Sequence, residues 1–236
     1  MGVYLNDPSA YGLFQEDFSL TYYVDKSEIF KELVPLIEIK KNVSERNGAN
    51  RGKGPKYVAI TRPRRFGKTV MANMIAAYFG KGIDSHEEFD TLKVSEYPWY
   101  KKHLNQHNVI RIAFNEMPDE VADYVEYIGR IKKGILADLY RAYPEAEIER
   151  DDAVWDALKK IYAYCNGEKF IFVLDEWDYI YHQDFVTDRD KESFTKFLSN
   201  LLKDKAYVEM AYMTGILPIA KYSSGSELNM FCEYTM

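Results

Sequence analysis

Cysteine is nearly absent. Cys165 and Cys232 are the only two in 236 residues, too few for a disulfide framework, so a cytoplasmic protein is expected. No apolar run approaches the roughly 20 residues needed to span a bilayer, and no membrane partner is expected. The N-terminus has no basic segment leading into an apolar stretch, so no secretory signal is read. Met1-Gly2 opens like a myristoylation site, but position 6 is Asn6 rather than Ser or Thr. Histidine is scarce as well. His103 and His107 stand four apart, yet Leu104 occupies the place where an HExxH metal motif needs Glu, and His86 and His182 are isolated. Repeats and low-complexity segments are missing. No NKxD-like guanine-reading motif occurs, which favours ATP over GTP. A positive excess is also missing: the net charge is −6, so bulk charge predicts no polyanion partner.

What is present is a soluble, aromatic composition with charge unevenly spread. Hydrophobic residues make up 47% and charged residues 29%, ordinary for a globular chain long enough to bury a sizeable core. Residues 40–68 hold ten Lys or Arg against one acid, Glu45. A positive island in an acidic chain points to an anionic ligand. For residues 40–56, a polar, glycine-bearing loop, two readings stay open: a nucleic-acid contact, or a basic surface loop surrounded by water.

The chain is expected to form one domain over 1–236, with an N-terminal strand and helix segment over 1–39, the basic loop 40–56 and a core over 57–236. Residues 1–24 read as aromatic and irregular, with a turn at Asn6-Asp7-Pro8 and a short strand over Leu20 to Val24. A helix capped by Asp25 or Ser27 runs through Phe30, Leu33 and Ile37, with a break or kink at Pro35. A strand over about 56–61 leads into a helix whose apolar face includes Met71, Met74 and Ile75. Val109 to Phe114 alternates as a second strand. Helices follow over about 120–143 and from an Asp151 or Asp152 cap to Tyr164. Lys169 to Leu174 is a continuous apolar run, the mark of a strand buried on both faces. A helix over about 188–205, a fourth strand over Tyr207 to Met213, a helix and a truncated strand at Glu233–Met236 complete the chain. That last strand suggests a piece of a longer protein. Strands alternating with helices predict an α/β fold with a mostly parallel sheet covered on both faces, a three-layer sandwich.

The chemistry concentrates in three stretches. Between the first strand and its helix lies Arg62-Pro63-Arg64-Arg65-Phe66-Gly67-Lys68-Thr69. It departs from GxxxxGK[ST] only at the first Gly, where Arg62 stands. Backbone N–H groups and the helix dipole still face an anion there. Gly67 allows close backbone approach, Lys68 reaches the β- and γ-phosphates, and Thr69 holds Mg²⁺, with Val70 following on the helix. Pro63 removes one donor and stiffens the loop, and Arg64 and Arg65 are candidates to replace it with charged donors. KFIFVLDEWD, residues 169–178, has the form of a Walker B segment: Asp175 for Mg²⁺, Glu176 to activate water. Asp178 reads as a cap or as part of the metal's acidic surroundings. Thr214, at the end of the fourth strand, is a candidate contact to the γ-phosphate or the water. An arginine finger is not assignable among Arg111, Arg130, Arg189 and one from a neighbouring copy in a homo-oligomer.

TRPRRFGKT, FVLDEWD and TGILPIAKYSSGSELNMF, with YYVDKSEIFKEL near the start, together resemble the AAA-ATPase-like family of bacteria and archaea. The resemblance covers the chain from about Tyr11. It implies a P-loop NTPase core of the additional-strand type, with strands counted along the chain in the order 5-1-4-3-2, and it makes the missing first Gly a family trait. Family members commonly carry a C-terminal domain resembling PD-(D/E)XK nucleases; no such motif occurs here, so nuclease activity does not carry over. The expected function is an ATP-binding, Mg²⁺-dependent ATPase module coupling hydrolysis to a conformational change of itself or of a further domain. The alternatives are a non-hydrolysing nucleotide switch and a nucleic-acid-handling module.

Overall fold

A computed structural model describes residues 1–38, 56–118, 120–222 and 227–235. The basic loop expected over 40–56 therefore lies outside the described residues except for Lys56, whose ammonium donates to the carbonyls of Lys205 and Val208. Among the described residues five strands make the sheet: β1 (Tyr57–Thr61), β2 (Asn108–Ala113), β3 (Phe170–Asp175), β4 (Val208–Gly215) and β5 (Cys232–Thr235). All pair in parallel, in the order β2-β3-β4-β1-β5. β1 and β3 are buried along their whole length, which is why their sequences run apolar without alternation.

Helices cover both faces. α1 (Pro8–Phe18), α2 (Phe30–Glu38) and α3 (Lys68–Phe79) lie on one, with two short turns, α4 (His86–Phe89) and α5 (Tyr100–His103). α6 (Tyr124–Ala142), α7 (Val154–Tyr164) and α8 (Asp188–Leu202) lie on the other. The pleat sorts the strand residues between them. Val58, Ile60, Ile171, Val173 and Tyr212 pack with the first group, and Tyr57, Ala59, Phe170, Phe172 and Leu174 with the second. The result is three layers compatible with a P-loop NTPase-like fold. α3 is buried nearly all round, from Ala72 to Phe79, because α1 covers the side that a surface helix would show to water.

Several local expectations are overturned. Residues 8–18 are a helix, not an irregular stretch: Asp7 is its N-cap, accepting from Ser9 N at 2.8 Å, and Pro8 takes the first helical position. Leu20 to Val24 is no strand but a turn leading back over α3. α2 continues through Pro35, held by buried Phe30, Leu33 and Val34. The N-cap of α7 is Ala153 rather than an aspartate, and the Asp152 carboxylate instead accepts from Glu149 N and Lys160 Nζ. Past β4, the described residues hold a single 3₁₀ turn, Ile219–Lys221, where a helix is expected.

Candidate functional site

Parallel strands end on the same edge of a sheet, and here three of those ends lie side by side. Thr61 of β1 is level with Gly215 of β4, Ile60 with Thr214, and Leu174 of β3 with Met213. Three stretches far apart in sequence, 62–69, 175–178 and 214–217, thus meet at the carboxyl edge, where open α/β sheets take ligands.

The 62–69 loop closes on α3 through two left-handed residues, Arg65 at φ 69° and Gly67 at φ 73°. Gly67 is the N-cap of α3 and makes no side-chain cap, so the first amides of that helix remain open to an anion. Lys68 is buried. Its Nζ donates to Arg62 O and to Pro63 O, each at 2.9 Å, drawing the loop into a closed cradle around the ammonium. Thr69 and Val70 are half-buried on the first turn of α3, and Pro63, Arg64 and Arg65 are exposed. The Arg62 guanidinium lies 5.5 Å from the centroid of Phe66, a ring left 54% exposed.

At the end of β3, Asp175 is fully buried. Its Oδ1 accepts from Thr214 Oγ1, while its Oδ2 is buried with no hydrogen-bond partner among the described residues. A buried carboxylate oxygen without a donor is costly. A hard divalent cation, which takes oxygen ligands, would satisfy that oxygen, and Thr69, on the first turn of α3 at the same sheet edge, carries a hydroxyl of the right chemistry to join it. Asp175 and Thr69 thus fit Mg²⁺. Among the described residues, no group of three or more His, Cys, Asp or Glu is placed to hold a metal by itself, so the remaining ligands have to come from elsewhere.

Glu176 is half-buried and sits at φ 49°, a left-handed conformation that a non-glycine residue adopts at some cost. Its N–H donates to Thr214 Oγ1 at 3.2 Å, so one hydroxyl pins both acids of the pair. Burial pushes the Glu176 carboxyl above its ordinary range, the charge of Asp175 adds to this, and Lys68 and Arg64 oppose it. Those four charges therefore share one small region.

Asp178 stands at the N-cap position of the 3₁₀ turn Tyr179–His182, without a side-chain cap bond, and its charge reaches Glu176. Buried, it accepts from Ile216 N at 2.9 Å and Leu217 N at 3.1 Å, tying the turn after β3 to the turn after β4. Trp177 N donates to Thr214 O and Arg62 N to Gly215 O, each at 3.0 Å. Gly215 joins all three stretches, and sequence reading singles out only its neighbour Thr214. A Cβ at Gly215 would lie 2.4 Å from Trp177 Nε1 and 3.1 Å from Asp178 Oδ1. Trp177 is fully buried, so the indole has no room to yield. Gly215→Ala is expected to cost about 1–3 kcal/mol through overpacking. The check is the urea midpoint at unchanged slope; a midpoint equal to wild type would show that the site has slack there.

Other candidates resolve outside this edge. His103 Nδ1 and His107 Nε2 are 3.0 Å apart, and their other nitrogens meet Glu38 and Glu209, so each ring nitrogen is already engaged. Arg111 is buried against Asp7 and Glu116 and is out of reach of any neighbouring copy, which removes it as an arginine finger. The Cys165 thiol is raised by burial and by Glu145, the opposite of an activated nucleophile. No helix among the described residues is long and apolar enough to cross a membrane.

Comparison with known proteins gives one family. A model described as "AAA-ATPase_like: Predicted AAA-ATPase" matches residues 51–224, which include all three stretches of the site. No curated protein and no solved structure matches.

Proposed function

We propose that this chain, which belongs to the AAA-ATPase-like family, binds ATP with Mg²⁺ and hydrolyses it, as one P-loop domain whose core is residues 57–236. The reading is carried by one observation: the orphaned Oδ2 of buried Asp175, on the same sheet edge as a buried lysine in a closed backbone cradle. A strand order that sets β4 between β1 and β3 supports the additional-strand type within the P-loop ATPases.

In this reading the open amides at the start of α3 and the backbone of 62–69 hold the phosphates. Lys68 leaves its two carbonyls to bond the β- and γ-phosphate oxygens. Arg64 and Arg65 add charged donors where Pro63 offers none. Thr69 and Asp175 would hold Mg²⁺, which would supply charge neutralisation to the phosphates. Glu176 orients the attacking water and accepts its proton. Thr214 keeps Asp175 and Glu176 in register and stands beside the γ-phosphate. Bonds from Gly215 to the Arg62 loop and from Thr214 to the β3 turn are the route by which hydrolysis reaches the rest of the chain, or a further domain.

The test is thermal or chemical unfolding with and without nucleotide. Mg·ATP at 100 times its Kd is expected to add about 2.7 kcal/mol to stability, with GTP adding less. An unfolding curve unmoved by millimolar Mg·ATP would sink the reading.

A further inference from the structure

A second feature borders the phosphate loop, built from residues that precede the family-matched region. α1 packs along α3, and Phe14, Phe18 and Tyr23 interlock there with ring centroids 5.1–6.3 Å apart. The chain then turns at Ser19–Tyr22 and returns across the first turns of α3, where the Tyr23 hydroxyl lies 3.8 Å from Met74 Sδ. Between this return and α3 opens a cavity of about 210 Å³, walled by Leu20, Tyr22 and Val24 on one side and by Val70 and Met71 on the other. Gly67 and Lys26 also line it, and Lys26 Nζ lies 3.2 Å from where a Gly67 Cβ would stand.

Three large apolar side chains of this wall are left open to water: Leu20 at 62%, Tyr22 at 91% and Val24 at 67% exposure. Singly such residues need no explanation, but grouped around one cavity they mark a binding surface. The volume is below the roughly 300–1,000 Å³ of a site that takes a whole small molecule. The cavity therefore suits one end of a ligand whose remainder lies elsewhere, and the cavity runs into the phosphate loop at Gly67. The end it suits is flat and apolar on its faces, for contact with Tyr22 and the adaptable Met71 thioether. It is polar at its edge, because Asp17 lines the same cavity. An ionised carboxylate only accepts hydrogen bonds, so the edge it reads must carry N–H donors.

We propose that this cavity holds the nucleobase of the bound nucleotide, with Tyr22 and Met71 against the ring, Asp17 accepting from an exocyclic amine of a purine, and Lys26 at the junction of base and phosphate ends. The proposal rests on the nucleotide reading above. Base preference is then written mainly by the N-terminal segment, with Met71 of α3, and not by the 62–69 and 175–178 motifs.

The test is calorimetric titration of the full chain with Mg·ATP, the Mg²⁺ complex of purine riboside triphosphate (whose base has neither the exocyclic amine nor an N1–H) and Mg·tripolyphosphate (which lacks base and sugar). Tyr22 is almost wholly exposed, so its removal leaves the fold intact. Tyr22→Ala and Asp17→Asn are each expected to weaken ATP about tenfold, in line with the worth of one base–aromatic contact. Both should leave tripolyphosphate within about twofold, and Asp17→Asn should reduce the preference of the wild type for ATP over purine riboside triphosphate. Unaltered ATP binding in both variants, or equal loss for ATP and tripolyphosphate, overturns the cavity assignment. So does a wild type that binds tripolyphosphate as tightly as ATP, while leaving the phosphate site standing. A wild type that binds neither overturns the nucleotide reading itself, and the base site with it.

Discussion

Glu176→Gln is expected to bind Mg·ATP as tightly as the wild type and to turn it over about 10²–10⁴-fold more slowly. The amide keeps the size and polarity of the side chain but has no basic oxygen of comparable strength. Position matters as much as chemistry. The backbone of Glu176 is pinned by Thr214 and bent into a left-handed conformation, so the point from which its side chain projects is fixed. Because burial and Asp175 raise its carboxyl above the ordinary value of 4.5, the acid limb of turnover should be displaced upward too. The sign follows from the required species. Only the ionised carboxylate takes a proton from water, so the rate rises with pH through the Glu176 pKa and is level above it. The Gln variant should lose that limb. Steady-state turnover across pH and Kd measured side by side decide the matter. Wild-type turnover in the Gln variant would move the base to another group. Tight binding with no turnover in the wild type would favour the nucleotide switch.

The second large effect is at Lys68. Charge-assisted hydrogen bonds of this kind are worth about 1.5–3 kcal/mol, so Lys68→Ala should weaken Mg·ATP about 10–150-fold. A complication is visible in the structure. Lys68 also holds Arg62 O and Pro63 O, so the alanine variant loses two loop contacts along with the phosphate contact. Lys68→Met loses the same three contacts but keeps an unbranched stem in the buried space, so it removes the packing loss that alanine adds. Unfolding without nucleotide reports the loop, and titration with Mg·ATP reports the phosphate contact. An unchanged Kd in both variants would place the phosphates away from this loop.

The central strands were legible because complete burial leaves an uninterrupted apolar run, as in Phe170 to Leu174. The 62–69 and 175–178 stretches were legible because chemistry restricts the residue types there. Legibility fails where a residue's role is set by distant partners. Asp178 gives no sign in sequence that it will hold Ile216 and Leu217. Gly215 gives no sign that an indole will lie against it. Near the N-terminus, Asp7-Pro8 signals a turn and a helix start equally well, and Gly12 blurs the apolar period of α1. The alternation over Leu20 to Val24 imitates a strand, yet those side chains face a cavity and water rather than a sheet. There the local pattern was overridden by a surface that serves a ligand.

The Lys68 ammonium, held by carbonyls of its own loop, has a consequence for which anions the loop admits. A lysine left bare at the start of a helix attracts every passing anion. Here the loop is an internal competitor, and an arriving ligand must displace two carbonyl contacts before it gains the cation. A small anion that reaches only the helix amides leaves that exchange unfavourable. A chain of phosphates long enough to bond amides and ammonium together makes it favourable. With phosphates bound as proposed, the closed loop works as a length filter, lowering affinity for all anions and lowering it most for the short ones.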